Sequence, residues 1–144
     1  MVRVRIPKQQ IDLLREVPLF SLCSEKDIRA IAQLGTESEV EAGSVLTARG
    51  QPGKEFFLVL DGVASCRIDK REVRRFGPGE FFGEMALLYG GVRTADVVAT
   101  SEMRLLVLNA REFRSMLSTT KVIDMKMLAN LAQRLSEADD AYTA

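Results

Sequence analysis

The residues best suited to binding chemistry lie between positions 81 and 97, in the stretch FFGEMALLYGGVRTADV. Gly83 and Glu84 precede a short apolar run, two further glycines follow it, and Arg93 stands at the entry to a strand-like segment. The first backbone N–H groups of a helix lack internal partners and attract anions. An arginine can hold a phosphate through two parallel hydrogen bonds. The segment therefore predicts a small phosphate-binding loop.

Glu84 restricts the choice of ligand, because a carboxylate repels a phosphate unless a nearby donor gives it a hydrogen bond. A ribose hydroxyl is such a donor, so the residues suggest a ligand in which a phosphate and a sugar hydroxyl lie close together, as in a cyclic nucleotide. The lysine-bearing loop G-x-x-x-x-G-K-[ST] of triphosphate-binding proteins is absent. Taken alone, the residues also allow a simpler interpretation, in which Glu84 and Arg93 pair across a glycine-rich turn.

The composition argues against several classes of function. The chain has 144 residues, with 20 Lys and Arg against 20 Asp and Glu, and no histidine. A net charge of zero argues against a broad nucleic-acid or membrane footprint. Without histidine there is no Ser-His-Asp or Cys-His nucleophile, and no histidine cluster for a cupin-type oxygenase. We therefore expect a binding protein and not an enzyme, with no cofactor and no metal.

The two cysteines and the termini bear on the compartment. Cys23 and Cys66 lie in apolar surroundings without metal-ligand spacing, which is typical of buried free thiols in a reducing compartment. The N-terminus lacks the apolar run of a signal peptide, and no segment reaches the ~18 apolar residues of a membrane span. These features predict a cytoplasmic location.

Three blocks of different periodicity must position the loop. Helical spacing predicts N-terminal helices within about residues 9–35, the second capped by Ser24 and stopped at Gly35. Residues 36–108 carry short strand-like runs separated by glycines, which predicts a compact antiparallel barrel or jelly-roll-like sandwich.

After about residue 109 the helical period returns and continues to about residue 140. Asn109 is predicted to cap a first helix, which a second, long helix follows. The apolar residues that we assign to one face of the long helix are Val122, Met125, Leu128, Leu131 and Leu135. We expect one domain over residues 1–144.

The stretch at 81–97 resembles the phosphate-binding cassette of the cyclic nucleotide-binding domain family, whose pattern is F-G-E-[LM]-A-L, a spacer, then R-[ST]-A-x-V. Upstream, VPLFSLCSEKDIRAIAQL, GSVLTARGQPGKEFFLVLDGVA and FGPGEFFGE are similar to its helical entry and β-roll glycine framework. Downstream, LLVLNAREFRSML is similar to its last strand and the helix after it. The resemblance implies an α+β, mainly β fold: an eight-stranded antiparallel β-roll or jelly roll between N-terminal helices and a C-terminal helix pair that includes a lid helix.

The resemblance also implies roles for particular residues. Arg93 would hold the cyclic phosphate, Glu84 would accept from the ribose 2′-hydroxyl, and the hydroxyl of Thr94 would reach the phosphate or a guanine amino group. The backbone groups that would line the phosphate turn belong to Gly83, Met85 and Ala86.

For the base, the positions implied by the resemblance are Cys66, Arg74 and Phe76, although Cys66 and Phe76 are equally well explained as barrel core. From Arg93 to Arg134 the chain aligns without gaps to cyclic nucleotide-gated, hyperpolarisation-type channel domains. Their lid helices carry Arg-Leu against adenine, at the positions of Arg134 and Leu135. The alternative is an exposed arginine beside a core leucine.

Two positions depart from the family pattern. Val92 replaces a proline that often precedes the arginine, and Lys54 stands where many members carry an acid that, in some of them, orients the arginine. Glu55 is adjacent, but the alternation of a strand would point its side chain to the other face. These departures bear on how tightly Arg93 is positioned, and not on the fold.

The resemblance implies a sensor or regulatory domain that binds cAMP, and cGMP more weakly, and that signals by moving its lid helix. Thr94 supplies half of a guanine-binding pair, but the aligned lid position is Ala138, and Asp139 would point away because one residue turns a helix by ~100°. The expected partner is the cyclic nucleotide, with an effector domain or protein partner outside this chain and no nucleic acid or membrane bound by this domain. The alternatives are a degenerate domain that only mediates protein contacts, and the ligand domain of a truncated transcription factor.

Overall fold

The computed structural model describes residues 2–5, 11–89 and 91–143, and only the backbone of residues 2–5, 89, 119, 121 and 135–143. The strands are β1 (Val2–Arg5), β2 (Thr36–Val40), β3 (Val45–Thr47), β4 (Glu55–Asp61), β5 (Ala64–Ile68), β6 (Arg71–Phe76), β7 (Phe81–Phe82), β8 (Asp96–Ala99) and β9 (Met103–Asn109). The helices are α1 (Ile11–Arg15), α2 (Glu25–Leu34), α3 (Glu84–Tyr89), α4 (Ala110–Thr119) and α5 (Lys121–Thr143), with a 3-10 turn at Pro18–Phe20. None of the described helices combines the length and the apolar run that crossing a membrane requires.

The strands form two antiparallel sheets. One has the order β1-β2-β9-β4-β7 and the other the order β3-β8-β5-β6. The eight strands from β2 to β9 confirm the predicted antiparallel roll between helical blocks. An unexpected ninth strand, β1, pairs with β2 from Val2 opposite Glu39 to Arg5 opposite Thr36.

The centre of the five-stranded sheet is buried on both faces, and β4 shows why. Its side chains alternate, so Phe56 and Leu58 pack with the helices while Phe57 and Val59 face the four-stranded sheet. Burying each such side chain stabilises the fold by about 1.5–3 kcal/mol. The helices thus cover one side of this sheet, and the second sheet covers the other.

The predicted starts of α2 and α4 and the predicted end of α2 are confirmed, but Gly35 ends α2 for a different reason than the one expected. Ser24 caps α2 and Asn109 caps α4, each in a reciprocal capping box. Gly35 ends α2 with an extended backbone of φ −89°, so no left-handed turn requires the glycine. A Cβ at this position would lie 2.6 Å from Cδ1 of Leu106, so close packing on the sheet excludes a larger residue.

The long helix α5 is confirmed, but the face assigned to it is wrong at Met125 and Leu128 and right at Leu131. Met125 is 72% exposed and Leu128 is 67% exposed, whereas Ile123 and Met127 are buried. Ile123 and Met127 belong, with the partly buried Leu131, to the cluster between the helices and the sheet. Both stripes of the helix are apolar, so local pattern does not choose between them, and packing against α4 and the 3-10 turn does. The side chain of Leu135 lies outside the described residues.

The loop predicted to bind phosphate lies where the chain passes from one sheet to the other. β7 pairs with β4 in the five-stranded sheet, through Phe82 opposite Phe57. β8 pairs with β3 and β5 in the four-stranded sheet. The segment between β7 and β8, which contains α3, therefore spans the open end of the roll.

Candidate functional site

A pocket of about 170 Å³ lies between this crossing segment, the four-stranded sheet and α5. The predicted site residues that line it are Cys66, Phe76, Gly83, Glu84, Met85, Ala86, Arg93, Thr94 and Arg134. The lining residues that sequence analysis missed are Thr47, Phe82, Ala95 and Val97. Alternation along β3 and β8 could have indicated Thr47 and Val97, because both are inward-facing strand positions.

Gly83 makes the turn into α3 and allows close approach of Arg93. Its φ is +92°, a left-handed conformation that side chains disfavour. A Cβ on Gly83 would lie 2.8 Å from the carbonyl oxygen of Glu55 and 3.0 Å from Nη1 of Arg93. Glycine is therefore favoured here for two reasons: the left-handed backbone conformation, and the close contact with the guanidinium of Arg93.

Gly53 plays a similar part from the opposite side, and sequence analysis did not select it. A Cβ at Gly53 would lie 2.2 Å from the Cβ of Ala86 and 3.0 Å from Nε of Arg93. The two glycines thus bring the turn before β4 and the start of α3 into contact around one guanidinium.

Arg93 is buried, with 8% of its surface exposed, and main-chain carbonyls orient it. Nη1 donates to the carbonyl of Gly83 at 2.8 Å, and Nη2 donates to the carbonyl of Glu55 at 2.6 Å. The guanidinium carbon lies 5.9 Å from the centre of the Phe57 ring. A guanidinium has five N–H donors, so these two bonds leave donors for a ligand. Burial lowers the pKa of Arg93, but an arginine in a protein remains charged.

The two departures from the family pattern are compensated in the backbone. Glu55 orients Arg93 through its carbonyl oxygen, where the sequence analysis considered only its side chain. Val92 forms a bridge with Pro52, and the N–H of Arg93 donates to the carbonyl of Gln51 at 2.8 Å. The arginine is therefore held without the proline or the acid.

Glu84 is the most buried charged residue of the pocket, with 2% of its surface exposed. Its Oε1 accepts from Nη1 of Arg134 at 2.7 Å. Its Oε2 is buried and has no hydrogen-bond partner among the described residues. Burial raises the pKa of Glu84, and the charge of Arg134 opposes that rise. Among the described residues the ion-pair partner of Glu84 is thus Arg134, and not Arg93 as the simpler interpretation has it.

Arg134 brings α5 into the pocket. Its Nη2 donates to the carbonyl of Phe81 at 2.6 Å. Its guanidinium carbon lies 4.7 Å from the centre of the Phe81 ring and 5.3 Å from that of Phe76. Arg134 is therefore a partly buried side chain in the pocket wall and not a fully exposed one. Burial lowers its pKa.

The remaining predicted positions differ in their placement. Burial raises the pKa of the Cys66 thiol, which is therefore uncharged in the pocket wall. Phe76 lines the pocket and also belongs to the core between the sheets. Its position therefore fits both the base-pocket interpretation and the barrel-core interpretation. Arg74 does not appear in the pocket wall: it pairs with Glu80 at 3.2 Å and lies 5.3 Å from the Phe76 ring.

Residues 37–120 match the cyclic nucleotide-binding domain family. Since this match covers more than half of the chain, the chain belongs to that family and is a cyclic nucleotide-binding regulatory domain.

Individual relatives agree with the family assignment. A cAMP-dependent protein kinase regulatory subunit of Colletotrichum orbiculare is 32% identical over 114 residues, which cover 78% of this chain and 29% of the subunit. A cyclic nucleotide-gated potassium channel of Mesorhizobium japonicum is 34% identical over 111 residues, or 77% of this chain and 31% of the channel. The catabolite activator protein of Thermus thermophilus superposes with a TM-score of 0.79 at 28% identity, covering 87% of this chain and 61% of that one. The chain thus spans about three tenths of the length of each of these two curated relatives.

Proposed function

We propose that this chain is a cyclic nucleotide sensor that binds cAMP, and cGMP more weakly, and has no catalytic activity of its own. The observation that carries the proposal is Oε2 of Glu84, a buried acceptor without a partner among the described residues. Buried polar atoms are nearly always hydrogen-bonded, so an unpaired one that lines a pocket suggests a ligand donor. A ribose 2′-hydroxyl is such a donor.

The phosphate would bind at Arg93, whose free donors line the same pocket. The N–H groups at the start of α3 lack intrahelical acceptors, so Met85 and Ala86 would supplement the arginine. The proposed phosphate donors and the proposed hydroxyl acceptor thus line the same pocket. A cyclic nucleotide carries the two matching groups close together, since the phosphate closes a ring on the ribose.

The base would enter beside Phe76 and Arg134, and this requires a change of shape. A volume of about 170 Å³ is below the roughly 300–1,000 Å³ of most small-molecule sites. Because Arg134 already occupies part of the pocket while it binds Glu84, ligand entry would move the part of α5 that follows Arg134, and this part would then cover the base. The ligand would shift this equilibrium only by its greater affinity for the covered state.

The preference for cAMP is supported by the relatives and by the lid sequence. The kinase subunit cited above is named as cAMP-dependent. Thr94 lines the pocket and could serve a guanine amino group, but the aligned lid residue Ala138 offers no acceptor. The side chain of Ala138 lies outside the described residues. A cytoplasmic location, and an effector domain or protein partner outside this chain, are part of the proposal.

Isothermal titration calorimetry with cAMP and cGMP tests the proposal. We expect one nucleotide per chain, tighter binding of cAMP, and unchanged nucleotide in the cell when it is analysed afterwards by chromatography. A flat titration of folded protein at high nucleotide concentration would refute the sensor function. Hydrolysis of the nucleotide would refute the claim that the domain is not catalytic.

A further inference from the structure

The two carboxylate oxygens of Glu84 have different environments. Oε1 is bound to Nη1 of Arg134 at 2.7 Å, whereas Oε2 has no hydrogen-bond partner among the described residues. The two oxygens of a carboxylate are equivalent, and the terminal torsion of a glutamate is broad, so the side chain alone does not fix the plane of the carboxylate. The bond to Arg134 fixes that plane and leaves the second oxygen as the acceptor.

Arg134 is itself held in place, and so it can orient another group. Its second terminal nitrogen donates to the carbonyl of Phe81, and its guanidinium lies over the Phe81 and Phe76 rings. Its side chain is 18% exposed, and Glu84 is its ion-pair partner among the described residues. A guanidinium held by a carbonyl and two rings presents its Nη1 donor to Glu84 in a fixed direction.

Arg134 also influences the ionisation of Glu84. Burial favours the neutral carboxyl, and the positive charge of Arg134 favours the carboxylate. An ionised carboxylate only accepts hydrogen bonds, whereas a protonated one also donates. Without Arg134, the group facing the pocket would therefore be less well oriented and more readily protonated.

We propose that Arg134 is the positioning residue for recognition of the ligand's 2′-hydroxyl: by binding Oε1 of Glu84 it presents Oε2 as the acceptor. This inference rests on the proposed function and goes beyond contact between the lid and the base. Arg134 need not touch the hydroxyl for the effect. Because linkage is reciprocal, a nucleotide with the hydroxyl stabilises the docked helix α5 more than one without it.

The test compares cAMP with 2′-deoxy-cAMP by calorimetry and uses the ratio of their dissociation constants. In the unaltered chain we expect a preference for cAMP of roughly 10- to 100-fold, the range for a hydrogen bond to a charged group. Arg134→Gln should reduce this ratio to about 3-fold or less, because a neutral amide orients the Glu84 carboxylate less firmly and does not favour its ionised form. Arg134→Lys should recover much of the ratio, since an ammonium can still bind Oε1. Lys126→Gln is the matched control on the same helix and should leave the ratio unchanged.

The role through Glu84 is separated from other roles by a double-mutant cycle. Glu84→Ala, which removes both oxygens, should abolish the preference by itself, and adding Arg134→Gln should then change the ratio no further. If Arg134→Gln weakens the binding of cAMP and 2′-deoxy-cAMP by the same factor, the ratio of their dissociation constants is unchanged. This result would overturn the inference and would indicate that Arg134 acts only by contact with the base. Should Arg134→Gln not fold, as judged by circular dichroism, Arg134→Met gives the same comparison, because it also removes the positive charge and keeps an apolar side chain over the Phe81 and Phe76 rings.

The remaining outcomes distinguish this inference from the proposed function. If the unaltered chain binds cAMP and 2′-deoxy-cAMP equally, Glu84 does not recognise the hydroxyl, and the inference fails while the sensor function stands. If the unaltered chain binds neither nucleotide, the sensor function fails and the inference fails with it.

Discussion

Replacing Arg93 with alanine tests the phosphate site most directly. The side chain is 8% exposed and is held by the carbonyls of Gly83 and Glu55. Removing a charged partner of a bound ion costs about 2–5 kcal/mol. At ~1.4 kcal/mol per tenfold, Arg93→Ala should weaken cAMP binding by roughly 30-fold or more.

The same change should also lower stability, for a separate reason. It leaves two partly buried carbonyls without their donor, and each lost bond costs about 1–3 kcal/mol where water cannot replace it. Arg93→Ala should therefore melt at a lower temperature than the unaltered chain. Arg93→Lys keeps the charge but cannot bond to both carbonyls and the phosphate at once. Its affinity for cAMP should therefore lie between that of the unaltered chain and that of Arg93→Ala.

Affinity would be measured by calorimetry and stability by thermal denaturation without ligand. Arg75→Ala is the matched control, because the side chain of Arg75 is 71% exposed and pairs with Glu72 at the surface. We expect it to change neither quantity appreciably. If Arg93→Ala lowers the melting temperature but binds cAMP as tightly as the unaltered chain, Arg93 is a structural residue and the proposed phosphate site is wrong.

Three further predictions concern Glu84 and α5. Burial holds the pKa of Glu84 above its ordinary 4.5 despite the charges of Arg134, Arg74 and Arg93. Just above pH 4.5, the Glu84 carboxyl therefore keeps its proton in the folded chain and loses it in the unfolded chain. The free energy of unfolding should then fall as the pH rises from about 4.5 through the folded pKa. Denaturation should then show Glu84→Gln gaining stability relative to the unaltered chain between pH 4.5 and pH 7; a pH-independent difference would contradict this. Truncation before Gln133 should weaken nucleotide binding by calorimetry yet preserve the β-sheet circular dichroism signal, and equal affinity would contradict the lid. Ala138→Asp should shift preference towards cGMP in competition binding, because a carboxylate can accept from the guanine amino group; an unchanged preference would place the lid contact elsewhere.

Local signals in the sequence determined most of the fold and the identity of the central site residues. The capping residues Ser24 and Asn109 mark helix starts because their side chains bond to backbone groups only three residues away. Gly83, Glu84 and Arg93 were selectable because their types and spacing match a phosphate and a hydroxyl. Such features depend on near neighbours in the chain, so the sequence alone contains them.

Tertiary structure decided which partners those residues have. The sequence does not predict that Glu84 pairs with Arg134, 50 residues away, or that the carbonyl of Glu55 orients Arg93 across 38 residues. It also does not predict which stripe of α5 is buried, since Ile123 and Met127 are as apolar as the exposed Met125 and Leu128. These contacts join separate elements, and a backbone carbonyl carries no residue identity that a sequence pattern could reveal. They form only when the sheets and helices pack, because burial then decides which polar atoms find a partner and which one, Oε2 of Glu84, has none among the described residues.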